Sequence, residues 1–229
     1  WQDFHYTCTG TYTNGDYVVN CHDGVAHGEL DIYGILGMSC NGAFDTIAQT
    51  LNSTKWQKLA EDFGYNQSDR SQVDFPYKKS HFDIASDDSV WSRMQLAIGQ
   101  GTTTVTPLLN LMMYAAIAND GVMMTPYLVD HYLDADGNVV EQTKPKALRS
   151  VCTKAEAELM DEFLTYVITN GTAAAGGSQY ARVSGKTGSA QYDSTKNYHA
   201  WFCGYGTNDV SEIAVCVMIE KGGAGGIVA

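Results

Sequence analysis

A Gly-Lys-Thr-Gly-Ser run at 185–189, followed by no helical pattern, constrains this chain more than any other segment. Glycine, lysine and threonine in a row first suggest a loop that wraps phosphate. Such a loop needs a glycine at position 180, where Tyr180 stands. It also needs a helix whose N-terminal amides face the phosphate. Here the chain runs through Ala190-Gln191-Tyr192 to Tyr198-His199-Ala200-Trp201-Phe202-Cys203-Gly204-Tyr205, an aromatic stretch that reads as a strand. Lys186 therefore belongs on or beside a sheet edge. A cation and a hydroxyl on a strand suit a cleft that receives a carboxylate.

The flanking sequence extends this to an α+β pattern. Thr153 and Glu156 form a capping box that opens a helix running to about Asn170-Gly171. After it, Ala181 to Tyr192, Tyr198 to Gly206 and Ser211 to Glu220 read as an antiparallel meander packed on that helix, with Lys186 on its first strand. Thr106-Pro107 starts another helix, with Leu108, Leu111, Met112, Ala115 and Ala116 as its buried face and Asn119-Asp120-Gly121 as its stop. Glu29 to Asn52 has helical spacing broken near Met38-Ser39, and Lys55 to Phe63 a short helix stopped by Gly64. Val122 to Leu133 and Asn138 to Gln142 read as a ribbon around Asp134–Gly137. Asn66 to Asp88 is polar and aperiodic, a long surface loop.

With 229 residues the chain suffices for one domain with a substantial core, or two small lobes. Its net charge of −12 and lack of a basic stripe argue against nucleic acid as a partner. No apolar run reaches the length of a membrane span. The first residue is Trp1 rather than Met, so the chain reads as a processed product or a fragment.

Six cysteines are present without a C-x-x-C pair. A zinc set would have to use Cys8, Cys21, His22 and His27, whose spacing matches none of the common structural sites. Asn14-Gly15 predicts a hairpin in which facing residue numbers sum to 29, which sets Cys8 opposite Cys21. On that register they form a non-hydrogen-bonded pair, close enough for a disulfide. A bridge would place the protein outside the cytosol; the alternative is two free thiols. Cys40, Cys152, Cys203 and Cys216 have no evident partners and read as small core residues.

Gly37-Met38-Ser39-Cys40-Asn41 sits at the break between two helical segments. It is no nucleophile elbow, because Asn41 stands where that turn needs glycine and no strand precedes it. A hydroxyl and an amide at Ser-x-Asn can relay a proton and hold an acyl-amide group. Alone, Ser39 or Asn41 reads more simply as the cap of a helix starting at Gly42.

Together, the Ser39-Cys40-Asn41 triplet and Lys186-Thr187-Gly188 match two of three motifs shared by serine β-lactamases and penicillin-binding proteins. Phe44, Ile98-Gly99-Gln100-Gly101, Val105-Thr106-Pro107-Leu108, Ala115 to Gly121, Gly171-Thr172-Ala173 and Ala200-Trp201-Phe202 fall in the order found between and around those motifs. Over nearly its whole length the chain resembles the transpeptidase domain of a penicillin-binding protein, most like class B. The third motif, S-x-x-K, with the nucleophilic serine, is absent from the 229 residues. It falls upstream of Cys8 in the family, which also continues beyond Gly225–Ala229 into a closing helix. The resemblance thus implies the C-terminal portion of the domain, 1–229, with elements missing at both ends. The intact Asn41 and Lys186 favour a functional parent over a degenerate relative.

The resemblance implies a peptidoglycan D,D-transpeptidase that cross-links stem peptides through a serine ester. Lys186, Ser39 and Asn41 would be catalytic: Lys186 as positive charge near the proton relay, Ser39 as proton shuttle to the leaving amine, Asn41 as holder of the substrate amide. Thr187, Gly188 and Ser189 would bind substrate, with the Ser189 N–H as half of an oxyanion hole. Implied partners are stem peptides, β-lactams, the upstream S-x-x-K segment and a membrane-embedded glycan polymerase. No metal and no organic cofactor is implied; His199 beside Trp201 reads as structural. The parent is expected outside the bacterial cytoplasm, anchored to the membrane, and this chain alone is expected to be inactive. Two alternatives stand: a β-lactamase-like hydrolase, for which Asn66–Asp88 offers Asp69, Asp74, Asp83, Asp87 and Asp88 but no Glu, and a non-catalytic β-lactam sensor or peptidoglycan-binding module.

Overall fold

The computed structural model describes residues 1–67, 73–193, 195 and 197–229. Its centre is a three-stranded antiparallel sheet in the order β11-β10-β9, with β9 at Arg182–Gln191, β10 at Tyr198–Thr207 and β11 at Glu212–Ile219. This is the meander expected from the sequence, and Lys186 lies on its first strand opposite Cys203. Helix α6, Lys154–Asn170, packs on β9; α5, Pro107–Ala118, packs on β10 and β11. The α6 capping box forms as expected: Thr153 N donates to Glu156 Oε2 at 2.8 Å and Glu156 N to Thr153 Oγ1 at 3.3 Å. Thr106 caps α5 through Leu109 N at 3.1 Å. The buried face of α5 differs from expectation. Leu109 and Ala116 are buried, and Leu108, Leu111, Met112 and Ala115 only partly, because the helix touches β10, β11, α6 and the strand β5 (Val122–Met124) on different sides.

On the other side of α6 lies α1, Ile32–Gly37, followed by α2, Asn41–Thr50, with the break at Met38-Ser39 where the spacing put it. Helix α3, Ser53–Asp62, begins two residues before the expected start. Helix α4, Val90–Ala97, has only two turns and was missed; Ser89 caps it, and it packs against α2. The short strands β1 (Tyr6–Cys8) and β4 (Gly28–Leu30) pair antiparallel. Strand β6 (His131–Leu133) pairs with β7 (Val139–Gln142) around 134–137, the ribbon expected there, whereas β5, at the start of its expected first arm, pairs instead with β8 (Ala147–Ser150). The last helix, α7, Gly225–Val228, rests on β9 and β10.

The hairpin of β2 (Thr11–Asn14) and β3 (Tyr17–Asn20) corrects the predicted register. Asn14 pairs with Tyr17 and Thr11 with Asn20, so Gly15-Asp16 forms the turn and facing numbers sum to 31. Cys8 therefore lies outside the hairpin, opposite Gly28. It still meets Cys21, by a different route: the chain folds back so that Cys21 N donates to Gly10 O at 2.9 Å. Cys203 and Cys216, expected to lack partners, face each other across β10 and β11 with sulfurs 3.1 Å apart.

One carboxylate ties α6 to the sheet. Asp161 accepts from Ser184 Oγ at 2.7 Å and from the Tyr205 hydroxyl at 2.7 Å, and it pairs with Arg182. Burial opposes its ionisation, but the hydrogen bonds from Tyr205, Ser184 and Arg182 outweigh burial and hold its carboxyl below the usual range. A depressed carboxyl pKa contributes stability above the unfolded value, lost as pH falls through the folded one. We expect Asp161→Asn to cost about 2 kcal/mol at pH 7, roughly 4–8 °C in Tm. Thermal melts should show the gap shrinking below about pH 4; a gap unchanged down to pH 2 would contradict this account.

Candidate active site

The site starts with two glycines in contact. Thr172 N donates to Gly37 O at 3.0 Å, bringing the end of α1 against the end of α6. A Cβ on Gly171 would stand 2.4 Å from Gly37 O, and one on Gly37 would stand 2.9 Å from the Tyr166 ring. Neither position has room for a side chain.

Directly after Gly37 the chain turns through Ser39, whose φ is +52°. Ser39 N donates to Leu36 O at 3.1 Å and Cys40 N to Ile35 O at 3.0 Å, the paired bonds of a Schellman helix end. Glycine is usual at that left-handed position; a serine there bears strain on the order of 1–2 kcal/mol. The Schellman turn delivers the Ser39 hydroxyl to β9. Ser184 and Lys186 are two residues apart on β9 and so share a face. Ser184 is buried against α6, so Lys186 points to the same side, where α1 meets α6. Its ammonium donates to Ser39 Oγ at 3.0 Å and to Thr187 O at 2.9 Å. Both acceptors are uncharged, and burial lowers the Lys186 pKa to about 8. Such an amine exchanges protons near neutral pH.

The helix-cap reading of Ser39-Cys40-Asn41 is thereby corrected. Cys40 is the N-cap residue of α2 and its side chain makes no cap hydrogen bond. Ser39 faces Lys186, while Asn41 Nδ2 donates to Asn20 O at 2.8 Å and ties the turn to the end of β3. Of the candidate catalytic residues, Ser39 and Lys186 are in direct contact, while Asn41, two residues after Ser39, has its amide nitrogen engaged by Asn20. Thr187 Oγ1 lies 3.1 Å from Thr172 Oγ1. Ser189 is exposed, and its Oγ accepts from Gly225 N at 3.1 Å.

β9 is an edge strand. With its amide turned to satisfy its neighbours, Gln100 donates to Gln191 O and accepts from Gln191 N, both at 3.2 Å, as a peptide adding to that edge would. Gln100 and Thr172 were visible in the sequence only as parts of matching blocks; Ser39 at a glycine position left no sequence signal.

The acids of the loop before α4 hold the loop and tie it to its neighbours. Asp74 accepts from Leu128 N and Val129 N, Asp83 from Ser86 N, Asp87 from Ser89 N, and Asp88 pairs with Arg93. Asp69 lies outside the described residues. Beneath the Ser39 turn, Cys8, Cys21, His27 and Cys40 bring their sulfurs and an imidazole nitrogen within 4.8 Å of one another. Of the zinc set considered from the sequence, Cys8, Cys21 and His27 come together, and Cys40 stands in the group in place of His22. Among the described residues no helix is long and apolar enough to cross a membrane.

The family model for the penicillin binding protein transpeptidase domain matches residues 1–229. A peptidoglycan D,D-transpeptidase, PbpA of Mycolicibacterium smegmatis, is 28% identical over 189 residues, which is 81% of this chain and 38% of that protein. The chain therefore spans well under half the length of that curated relative. Among solved structures, the D,D-transpeptidase domain of a peptidoglycan glycosyltransferase from Eggerthella lenta superposes with a TM-score of 0.87 at 28% identity, over 96% of this chain and 56% of that one. Penicillin-binding protein A of M. tuberculosis, as a ceftriaxone acyl-enzyme, shares the fold with a TM-score of 0.88 at 21% identity, over 100% of this chain and 53% of that one. The chain belongs to the penicillin-binding protein transpeptidase domain family.

Proposed function

We propose that this chain is the C-terminal portion of a peptidoglycan D,D-transpeptidase domain. It would supply the Ser39–Lys186 relay, the Asn41 amide and the β9 substrate strand, while a S-x-x-K segment outside these 229 residues would carry the nucleophilic serine, its lysine and the other half of the oxyanion hole. The observation that carries the reading is the 3.0 Å hydrogen bond from a partly buried Lys186, on the edge strand β9, to Ser39. A stem peptide ending in D-Ala–D-Ala would lie along β9, its carboxylate held by the Thr187 and Ser189 hydroxyls and the Lys186 charge. The nucleophilic serine would give its proton to the lysine of its own S-x-x-K motif as its oxygen attacks the penultimate carbonyl, with the Ser189 N–H stabilising the oxyanion. The C–N bond then breaks, and Ser39 would pass a proton to the leaving amine and be resupplied through Lys186. The ester would be resolved by the amine of a second stem. Asn41, held by Asn20, would offer its carbonyl oxygen to the substrate amide.

β-Lactams would enter as dipeptide mimics, in line with the acyl-enzyme of the M. tuberculosis relative. A glycan polymerase is a fitting partner, since the Eggerthella domain belongs to a glycosyltransferase. The parent would work outside the cytoplasm, anchored to the membrane. The engaged carboxylates of Asp74, Asp83, Asp87 and Asp88 favour this reading over the hydrolase, which needs a free base to activate water.

Two outcomes test the proposal. Mass spectrometry after incubation with a penicillin should find no covalent adduct on the 229-residue chain; a stoichiometric adduct would mean that a nucleophile lies within it. Supplying the S-x-x-K segment should give a slowly released acyl-enzyme. Rapid turnover would instead support the hydrolase, and no acylation the binding module.

In that restored protein Lys186→Ala should slow acylation by about a hundredfold or more, as loss of a preorganised charge does. Because Lys186 is charged only below its lowered pKa of about 8, acylation should fall as pH rises through that value. Lys186→Arg, which cannot lose its charge in this range, should abolish that alkaline limb. A wild-type profile flat to pH 10 would remove Lys186 charge from the mechanism.

A further inference from the structure

We propose that Cys203 and Cys216 form a disulfide across the centre of the three-stranded sheet, fixing the register of the strands that carry Lys186. The two cysteines face each other in the middle of an unbroken ladder that runs from Ala200–Ile219 to Thr207–Glu212. Facing residues of an antiparallel pair have Cα atoms about 4.5 or 5.5 Å apart. Both values lie inside the range that a disulfide spans, about 4.4–6.8 Å. The sulfurs are 3.1 Å apart. That is nearer than the 3.6 Å between Cys8 and Cys21 or the 3.8 Å between Cys21 and Cys40. Closing to a bond of about 2.05 Å asks each sulfur to move by roughly half an ångström, which small side-chain rotations supply without a shift of the backbone.

The pattern of β11 shows what the bond would add. Ile213, Val215, Val217 and Ile219 are exposed on one face of the strand, and Ala214, Cys216 and Met218 are partly buried on the other. Gly204 and Gly206 of β10 stand opposite Val215 and Ile213. A strand that is apolar on both faces and paired with glycines carries little in its pattern to choose which face turns inward, so its register is weakly specified. A slip of one residue would set Cys203 against Val215 or Val217 and turn Cys216 to the outer face. A bond between the two cysteines excludes both slips. β10 in turn holds β9, and Cys203 is the residue opposite Lys186. The crosslink would therefore steady the strand behind Lys186.

The step is thiol–disulfide exchange. Cys203 is buried and donates its S–H to Cys216, which is partly buried. That hydrogen bond lowers the Cys216 pKa and makes Cys216 the attacking thiolate. Cys216 gives its proton to solvent and attacks a disulfide-bearing oxidant, releasing one oxidant thiolate. Cys203 then loses its proton and attacks the Cys216 sulfur, which forms the new bond and releases the second oxidant thiolate. The two electrons pass to the oxidant, whose disulfide ends as two thiols. The finished bond would lie on the side of the sheet that α5 covers, near Tyr114, where reductants have little access. Its persistence in the cell rests on the extracytoplasmic setting proposed above.

The test uses the 229-residue chain, purified under reducing conditions and then exposed to excess glutathione disulfide. It depends neither on cellular location nor on acyl transfer, so its failure would leave the transpeptidase reading untouched. Alkylation followed by peptide mapping should show Cys203 linked to Cys216. The oxidised protein should melt about 5–10 °C above the reduced one, as a closed loop of this length predicts. The double variant Cys203→Ala with Cys216→Val, which keeps two small apolar side chains, should lose that difference. Cys203→Ser should leave Cys216 as a mixed disulfide with glutathione. Should a variant fail to fold, the wild-type mapping decides. Free, alkylatable Cys203 and Cys216 after oxidation of the folded chain would overturn the proposal. So would either of them joined to a different cysteine, or equal melting of the oxidised and reduced forms.

Discussion

Gly37 and Gly171 touch backbone to backbone, and the geometry of the site descends from that contact. It fixes the end of α1 against the end of α6. Helix α6 is in turn fixed to β9 and β10 through Asp161. The distance from the Ser39 turn to the strand carrying Lys186 is thereby set by two rigid junctions, one steric and one electrostatic. A methyl group at Gly171 would meet the Gly37 carbonyl and push the two helix ends apart by more than the slack in a 3.0 Å hydrogen bond, while one at Gly37 would meet the Tyr166 ring on α6. Placement here rests on absent side chains as much as on present ones.

The second constraint is the burial of a cation. In a chain with a net charge of −12 there is no shortage of carboxylates, yet among the described residues Lys186 hydrogen-bonds to a hydroxyl and a carbonyl oxygen and to no carboxylate. A neighbouring carboxylate would raise its pKa and neutralise its charge toward an incoming anion. Neutral acceptors do neither, at the cost of desolvating the ammonium. The fold bears that cost together with the strain at Ser39, and two such costs at one contact are the mark of a site kept for chemistry rather than stability.

The legible parts of the sequence were those encoded locally. The Thr153–Glu156 capping box, the Thr106-Pro107 helix start and the strand after Lys186-Thr187-Gly188 each carry their signal within a few residues, and each formed. The β2–β3 register depended on which of two overlapping turns won. Asn14-Gly15 and Gly15-Asp16 both offer good turn residues, and the choice moves every facing pair by one position on each strand. That misreading still brought Cys8 and Cys21 together, because both registers bend the chain the same way. Cys40 could not be added, since its approach depends on how α1 and α2 pack against the hairpin. The pairing of Ser39 with Lys186 was expected through family resemblance; the left-handed backbone that makes it possible was not legible, because serine gives no warning of a positive φ.

The open edge of β9 has a consequence for the behaviour of the protein in solution. Exposed edge strands invite pairing with other chains, and proteins commonly guard them with proline, a bulge or a covering loop. A strand that must accept a peptide cannot be closed in those ways without losing its use. Here the protection lies in composition: Arg182–Gln191 has two glycines, two cations and a single large aliphatic residue, Val183. Such a segment pairs well only when something else holds the incoming strand in place. The same ten residues thus admit a ligand anchored by its ends and discourage self-association, so substitutions that strengthen β9 as a strand would make the domain more prone to aggregate.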